Sequence, residues 1–199
     1  MQEYIFGSVE SGDIHLSPSE LSARAGKPLT EDDAEVSSVK ESLLKIATPK
    51  YIAARVKILG YSDTEVIFSH LRVESRDLVR YFKGARECYV FIATLGSAVD
   101  RLVNSMRARS LSSGFMYNAV ASAMIEAVCD TAHKRLGVKS RLYNRFSPGY
   151  GDVPLTIQAD LIRILEADKR LGITLSEKFL MTPLKTVTAF IGVENEKED

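Results

Sequence analysis

Hydrophobic spacing divides the chain into short stretches of different period. Val36, Val39, Leu43 and Ile46 recur at helical intervals, Thr30 with Glu31, Asp32 and Asp33 marks a helix start with acids in its first turn, and Pro49 stops the run. Ala54, Val56 and Ile58 then alternate with Arg55 and Lys57. Ile67, Leu71 and Val73 follow a similar period beyond Gly60-Tyr-Ser-Asp63, which predicts two strands and a turn with one wet face. A short helix is expected from Arg76 to Phe82. The apolar run Cys88-Tyr-Val-Phe-Ile-Ala-Thr-Leu95 reads as a strand buried on both faces, at the centre of a sheet.

Val99, Leu102, Val103 and Met106 predict one helix, and a longer one is expected from Ser112 to Leu136, where Gly137 supplies a stop. A strand over Arg141 to Phe146 leads into a glycine-rich turn. Pro154 and Thr156 then open a helix with Ile157, Leu161, Ile164 and Leu171 on one face, closed by Gly172. Val187, Ala189 and Ile191 alternate as a last strand. Without a regular β-α-β rhythm, this order favours an α+β fold with a largely antiparallel sheet. Residues 1–30, punctuated by Gly7, Gly12, Pro18, Gly26 and Pro28, read as an arm or capping element. Residues 31–193 then form the domain and 194–199 a charged tail.

Composition narrows the function classes. The 199 residues fit one domain able to bury a real core. Twenty-six Lys and Arg balance 26 Asp and Glu, so there is no net positive field to gather nucleic acid or hold a membrane surface. No secretion signal or membrane-length apolar run is visible, and a cytoplasmic protein is expected. Cys88 and Cys129 lie in apolar patterns and read as small buried hydrophobes. His70 and His133 have no partner histidine at metal spacing, so no protein metal site is expected. Gly12-Asp-Ile-His15 is similar to the start of a cobalt-ligating D-x-H-x-x-G loop, but Pro18 stands where the glycine belongs. Ala93-Thr-Leu-Gly-Ser97 is a poor match to the glycine loop of a Rossmann methyltransferase.

The segment Arg145-Phe-Ser-Pro-Gly-Tyr-Gly-Asp-Val-Pro154 suits a ligand that carries a carboxylate and a flat ring. Arginine offers a planar fork for a carboxylate, Pro148 stiffens the approach, and Gly149 and Gly151 let the backbone come close. Tyr150 can lie against a ring or donate its hydroxyl. The same residues also suit a tight strand-to-helix connection with no ligand. Glu126 is the only charged residue between Arg109 and Asp130. A half-buried carboxylate there needs a partner, either a cationic ligand group or an arginine of the protein.

The spacing R-x-x-x-G-Y, followed by a proline and a helix, resembles the hallmark of the activation domain of cobalamin-dependent methionine synthase. Leu161 to Gly172, Thr174-Leu-Ser-Glu-Lys-Phe-Leu-Met-Thr-Pro183 and Met124-Ile-Glu-Ala-Val128 are similar to further features of that family, and the likeness runs from Tyr89 to Val193. It departs after the tyrosine, where Gly151-Asp-Val-Pro154 replaces Pro-Ala-Cys-Pro with one residue fewer before the helix.

The resemblance implies a twisted antiparallel sheet with flanking helices. It implies that Arg145, Gly149 and Tyr150 contact S-adenosylmethionine, that the backbone near Asp152 helps hold it, and that Glu126 lines the site. An aspartate of the family's site has no assigned counterpart here. By the same resemblance the chain acts as a free-standing reactivation subunit of a split methionine synthase. It would support reductive methylation of cob(II)alamin, with the cobalamin carried by a partner subunit and the electron coming from a reduced flavoprotein. The alternative is a non-catalytic S-adenosylmethionine sensor, or a scaffold for a corrinoid protein.

Overall fold

A computed structural model describes residues 3–82, 84–138 and 140–194; of the expected charged tail, all but Glu194 lies outside the described residues. Strand β1 (Tyr4–Ser8) leads through a loop into α1 (Pro18–Ala25) and α2 (Ala34–Leu44). The long β2 (Lys50–Tyr61) turns into β3 (Glu65–Phe68) and β4 (Arg72–Glu74), and α3 (Arg76–Phe82) precedes β5 (Glu87–Thr94). Two helices follow, α4 (Ser97–Arg109) and α5 (Leu111–Leu136). After an irregular connection come α6 (Ile157–Leu165), α7 (Ala167–Leu171), the small hairpin β6 (Thr174–Leu175) and β7 (Met181–Thr182), and finally β8 (Thr186–Val193).

The main sheet runs β4-β3-β2-β5-β8, with β1 also paired to β2, and its strand pairs are all antiparallel. One edge of β2 is shared: its first half pairs with β1 and its second half with β3, the latter pairing carrying a register shift between Ile58 and Gly60. The sheet is therefore curled, with helices against it, as an α+β fold.

β5 lies between β2 and β8, and every residue from Cys88 to Thr94 is buried. The period of a strand sends its side chains to two separate cores. Tyr89, Phe91 and Ala93 face a core closed by α1, α2, α4 and α5. Cys88, Val90 and Ile92 face one closed by α3, α6 and the β3–β4 hairpin. Both cysteines are fully buried free thiols, and burial pushes both thiol pKa values up.

Several local expectations change. The stretch from Ile67 to Val73 is a hairpin, closed by the Phe68 N–H donating to the Leu71 carbonyl at 2.9 Å. The strand expected over Arg141 to Phe146 is reduced to two isolated bridges, Leu142 to Val193 and Phe146 to Phe190. Tyr81 explains the gap. Its hydroxyl donates to the Asn144 carbonyl at 2.5 Å and accepts from the Gly192 N–H at 2.9 Å, standing where ladder bonds would form. The helix from Ile157 to Leu171 breaks at Glu166, whose φ of 48° is left-handed.

Residues 4–26 contribute β1 and α1, and Ile14, Leu16 and Leu21 lie in the first core. Asp13, the aspartate of the discarded cobalt motif, pairs with Arg135 of α5 at 2.8 Å.

Candidate functional site

The last turns of α5 face the connection between α5 and α6, and the described cavity there measures about 370 Å³. Phe146 is pinned to β8 by reciprocal backbone bonds with Phe190, at 2.9 and 2.8 Å. That anchor aims the preceding Arg145 at α5. Arg145 Nη1 donates to Asp130 Oδ1 at 2.8 Å and Nη2 to Glu126 Oε2 at 3.1 Å. Glu126 Oε1 lies 3.8 Å from Arg24 Nη2, so the N-terminal helix reaches the same carboxylate.

These groups are unequally covered. The side chains of Arg145 and Glu126 are 20% and 23% exposed, whereas Asp130 is 57% exposed. Burial works against the Arg145 charge, but Cys129, Asp130 and Glu126 more than offset it and raise the guanidinium pKa. The partner that sequence demanded for Glu126 is thus supplied within the protein, by Arg145 with Arg24 behind it.

Glu126, Asp130, His133, Lys134, Arg145 and Tyr150 all line the cavity. His133 is pushed below its usual pKa, first by burial and then by the Arg145 charge, against a weaker pull from Asp130. Its Nδ1 is buried without a hydrogen-bond partner among the described residues. A neutral imidazole beside a charged guanidinium follows.

The glycine-rich turn forms the cavity's rim. Tyr150 N–H donates to the Ser147 carbonyl at 3.0 Å, and Gly149 N–H to Val153 at 2.9 Å. Gly149 has φ of +89°, and a Cβ there would stand 3.3 Å from Leu155. Gly151 has φ of +54° and a Cβ would collide with the Asp77 carboxylate, so both positions require glycine. Tyr150 is 60% exposed, with its ring set edge-on to Phe146 at 6.3 Å.

Asp152 points elsewhere. Its carboxylate accepts from the Arg76 N–H at 2.9 Å, the Asp77 N–H at 3.2 Å and the Ser75 hydroxyl, and so caps the start of α3. The Ser75 bond, above all, and the backbone bonds together lower its pKa against the opposing effect of burial. Arg145, Glu126 and Tyr150 therefore meet around one cavity, while Gly149 and Asp152 shape and anchor the turn beside it.

Sequence reasoning passed over Asp130 and Arg24 and set His133 aside. A signal existed for Asp130: Asn118, Ser122, Glu126 and Asp130 recur every four residues along α5 and form one polar line on a helix otherwise rich in small apolar groups. Lys185 Nζ reaches that line higher up, bonding Asn118 Oδ1 at 2.7 Å and Ser122 Oγ at 2.8 Å. Arg24 carries no such signal, since it depends on how α1 packs across α5.

Among the described residues no helix is long and apolar enough to cross a membrane. No protein-family model matches the chain, and neither does any curated protein. Among solved structures, a crystal structure of the MetH reactivation domain bound to AdoHcy superposes with a TM-score of 0.73 and 16% sequence identity, over 99% of this chain and 80% of that one. A curled antiparallel sheet with flanking helices is common to both, and this chain has the fold of the MetH reactivation domain.

Proposed function

We propose that the chain binds S-adenosylmethionine in the cavity between α5 and the turn over residues 144–150. The observation that carries this reading is the convergence of Arg145, Glu126 and Tyr150 on one cavity, although 19 residues separate Glu126 from Arg145. The neighbour of like fold is a reactivation domain bound to AdoHcy, the demethylated form of that molecule. The fit is physical as well. The volume lies within the roughly 300–1,000 Å³ of small-molecule sites, and a few charged groups converge on it. Arg145 takes the ligand's carboxylate, Glu126 faces its cationic end, and Tyr150 lies against the adenosyl portion. Gly149 supplies the left-handed bend of the turn that carries Tyr150, and Asp152 holds the turn against α3.

The role that follows is reactivation of a cobalamin-dependent methionine synthase, with this chain as one subunit. Cobalamin on the partner subunit would supply the methyl-accepting chemistry during reductive methylation, with a reduced flavoprotein as electron donor. This chain's residues contribute position: they fix one end of a flexible ligand, which converts a rare encounter into a near-intramolecular one. None of them needs to move a proton.

Mixing the protein with a cob(II)alamin-loaded corrinoid subunit, S-adenosylmethionine and a reductant tests the role. Methylcobalamin should accumulate faster than in controls lacking this chain. No gain over those controls, with calorimetric binding of S-adenosylmethionine intact, would leave a sensor in place of a reactivation subunit.

A further inference from the structure

Arg145 is held by two carboxylates that are not equivalent. Each takes a different nitrogen, Asp130 at Nη1 and Glu126 at Nη2. A guanidinium grips one carboxylate best with two parallel N–H donors, and with both terminal nitrogens already bonded to acids an incoming carboxylate competes with them for the fork. Glu126 resists: it is 23% exposed and its other oxygen faces Arg24, so removing its partner would strand a half-buried charge. Asp130 does not. It is 57% exposed, and among the described residues its only ion-pair partner is Arg145. Water can take its carboxylate at small cost. Lys134, four residues further along α5 and also lining the cavity, is placed to meet it once released.

Resting on the proposed S-adenosylmethionine site, we infer that Asp130 is a built-in competitor for the ligand's carboxylate. It occupies the outer arm of the Arg145 fork until a ligand carboxylate takes its place, and so sets both the affinity of the site and its preference for ligands that carry that group. Without Asp130 the same pocket binds such ligands more tightly. A ligand with no carboxylate gains nothing from the change, because it does not need that arm.

Calorimetry on wild type, Asp130→Asn and Asp130→Ala distinguishes the possibilities, with S-adenosylmethionine, S-adenosylhomocysteine and decarboxylated S-adenosylmethionine as probes. Asp130 lies on an exposed helix face, and thermal melts of the variants check that the fold is kept. Both variants should bind the two carboxylate-bearing ligands about fivefold more tightly, the upper range for an ion pair with one exposed member. Affinity for the decarboxylated ligand should change less than twofold. Unchanged affinity overturns the inference, and so does weaker binding, which would make Asp130 a partner of the ligand's cationic end. Equal tightening for all three ligands overturns it too, since only net charge would then matter. If the wild type binds none of them, the site reading falls and the inference with it; normal wild-type binding with indifferent variants sinks the inference alone.

Discussion

Replacing Arg145 with alanine removes the guanidinium that connects α5 to the ligand-facing turn. Two effects should separate. In the free protein, Glu126 keeps only Arg24 at 3.8 Å, and Asp130 turns to water. The loss should exceed the ~0.2–1 kcal/mol of an exposed pair and fall short of the ~3–5 kcal/mol for breaking a fully buried one. With Arg145 and Glu126 about one-fifth exposed, about 1–2 kcal/mol is expected, or a melting temperature lower by roughly 2–8 °C for a chain of this size. In the complex, a ligand carboxylate loses the only forked donor that lines the cavity among the described residues. Truncating one member of a buried charge pair costs about 2–5 kcal/mol. Partial exposure places this one near the lower end, and at about 1.4 kcal/mol per tenfold the Kd for S-adenosylmethionine should rise roughly 30- to 100-fold. Isothermal titration calorimetry, run with a thermal melt of the same sample, reads both. Arg145→Lys keeps the charge but loses the fork and should fall between wild type and alanine. A folded Arg145→Ala protein that binds S-adenosylmethionine within about threefold of wild type refutes the role given to the guanidinium.

His133 provides a test of proximity without any ligand. Burial and Arg145 hold its pKa below 6.5, so its folded form prefers to be neutral; the stability this contributes is full above 6.5 and lost as pH falls through the lower folded value. Arg145→Ala should raise the His133 pKa in an NMR titration, and an unmoved midpoint would contradict the proximity of the two charges. The Asp152 carboxylate is lowered from 3.8, so its contribution is present above 3.8 and lost as pH falls below it through the folded value. Acid unfolding followed by circular dichroism should accordingly begin at higher pH in Asp152→Ala than in wild type, and coincident curves would rule the cap out. Gly149→Ala forces an alanine into φ of +89° against Leu155 and should cost about 1 kcal/mol or more; an unchanged urea midpoint would show that the turn relaxes freely. Cys88 and Cys129 should resist a thiol reagent until the protein unfolds, and fast reaction of either in native buffer would argue against the two-core packing.

Wherever local periodicity and burial agreed, the chain was legible before folding. The apolar run at Cys88 to Leu95 reads as a strand covered on both sides from its length and its β-branched and aromatic content, and its alternate residues do enter two separate cores. Gly149 and Tyr150 were visible for the same local reason: a turn's backbone demands are written in its own residues. Elements that answer to distant partners could not be read this way. The ladder expected over Arg141 to Phe146 is interrupted by a tyrosine hydroxyl from α3, some sixty residues earlier in the chain. Asp152 belongs to a cap on that same helix, and no spacing in its own segment indicates it.

The candidate site divides along the same line. Sequence alone determined that Glu126 needed a counter-charge and that Arg145 carried a fork, since burying a carboxylate and orienting a guanidinium are constraints on single residues. Only the tertiary structure decided that each answers the other, that Arg24 and Asp130 join them, and that Asp152 faces away. Ion pairs act across a few ångströms of space whatever the distance along the chain, so the partners of a charge are settled by the packing of α1, α5 and the turn, not by the order of residues.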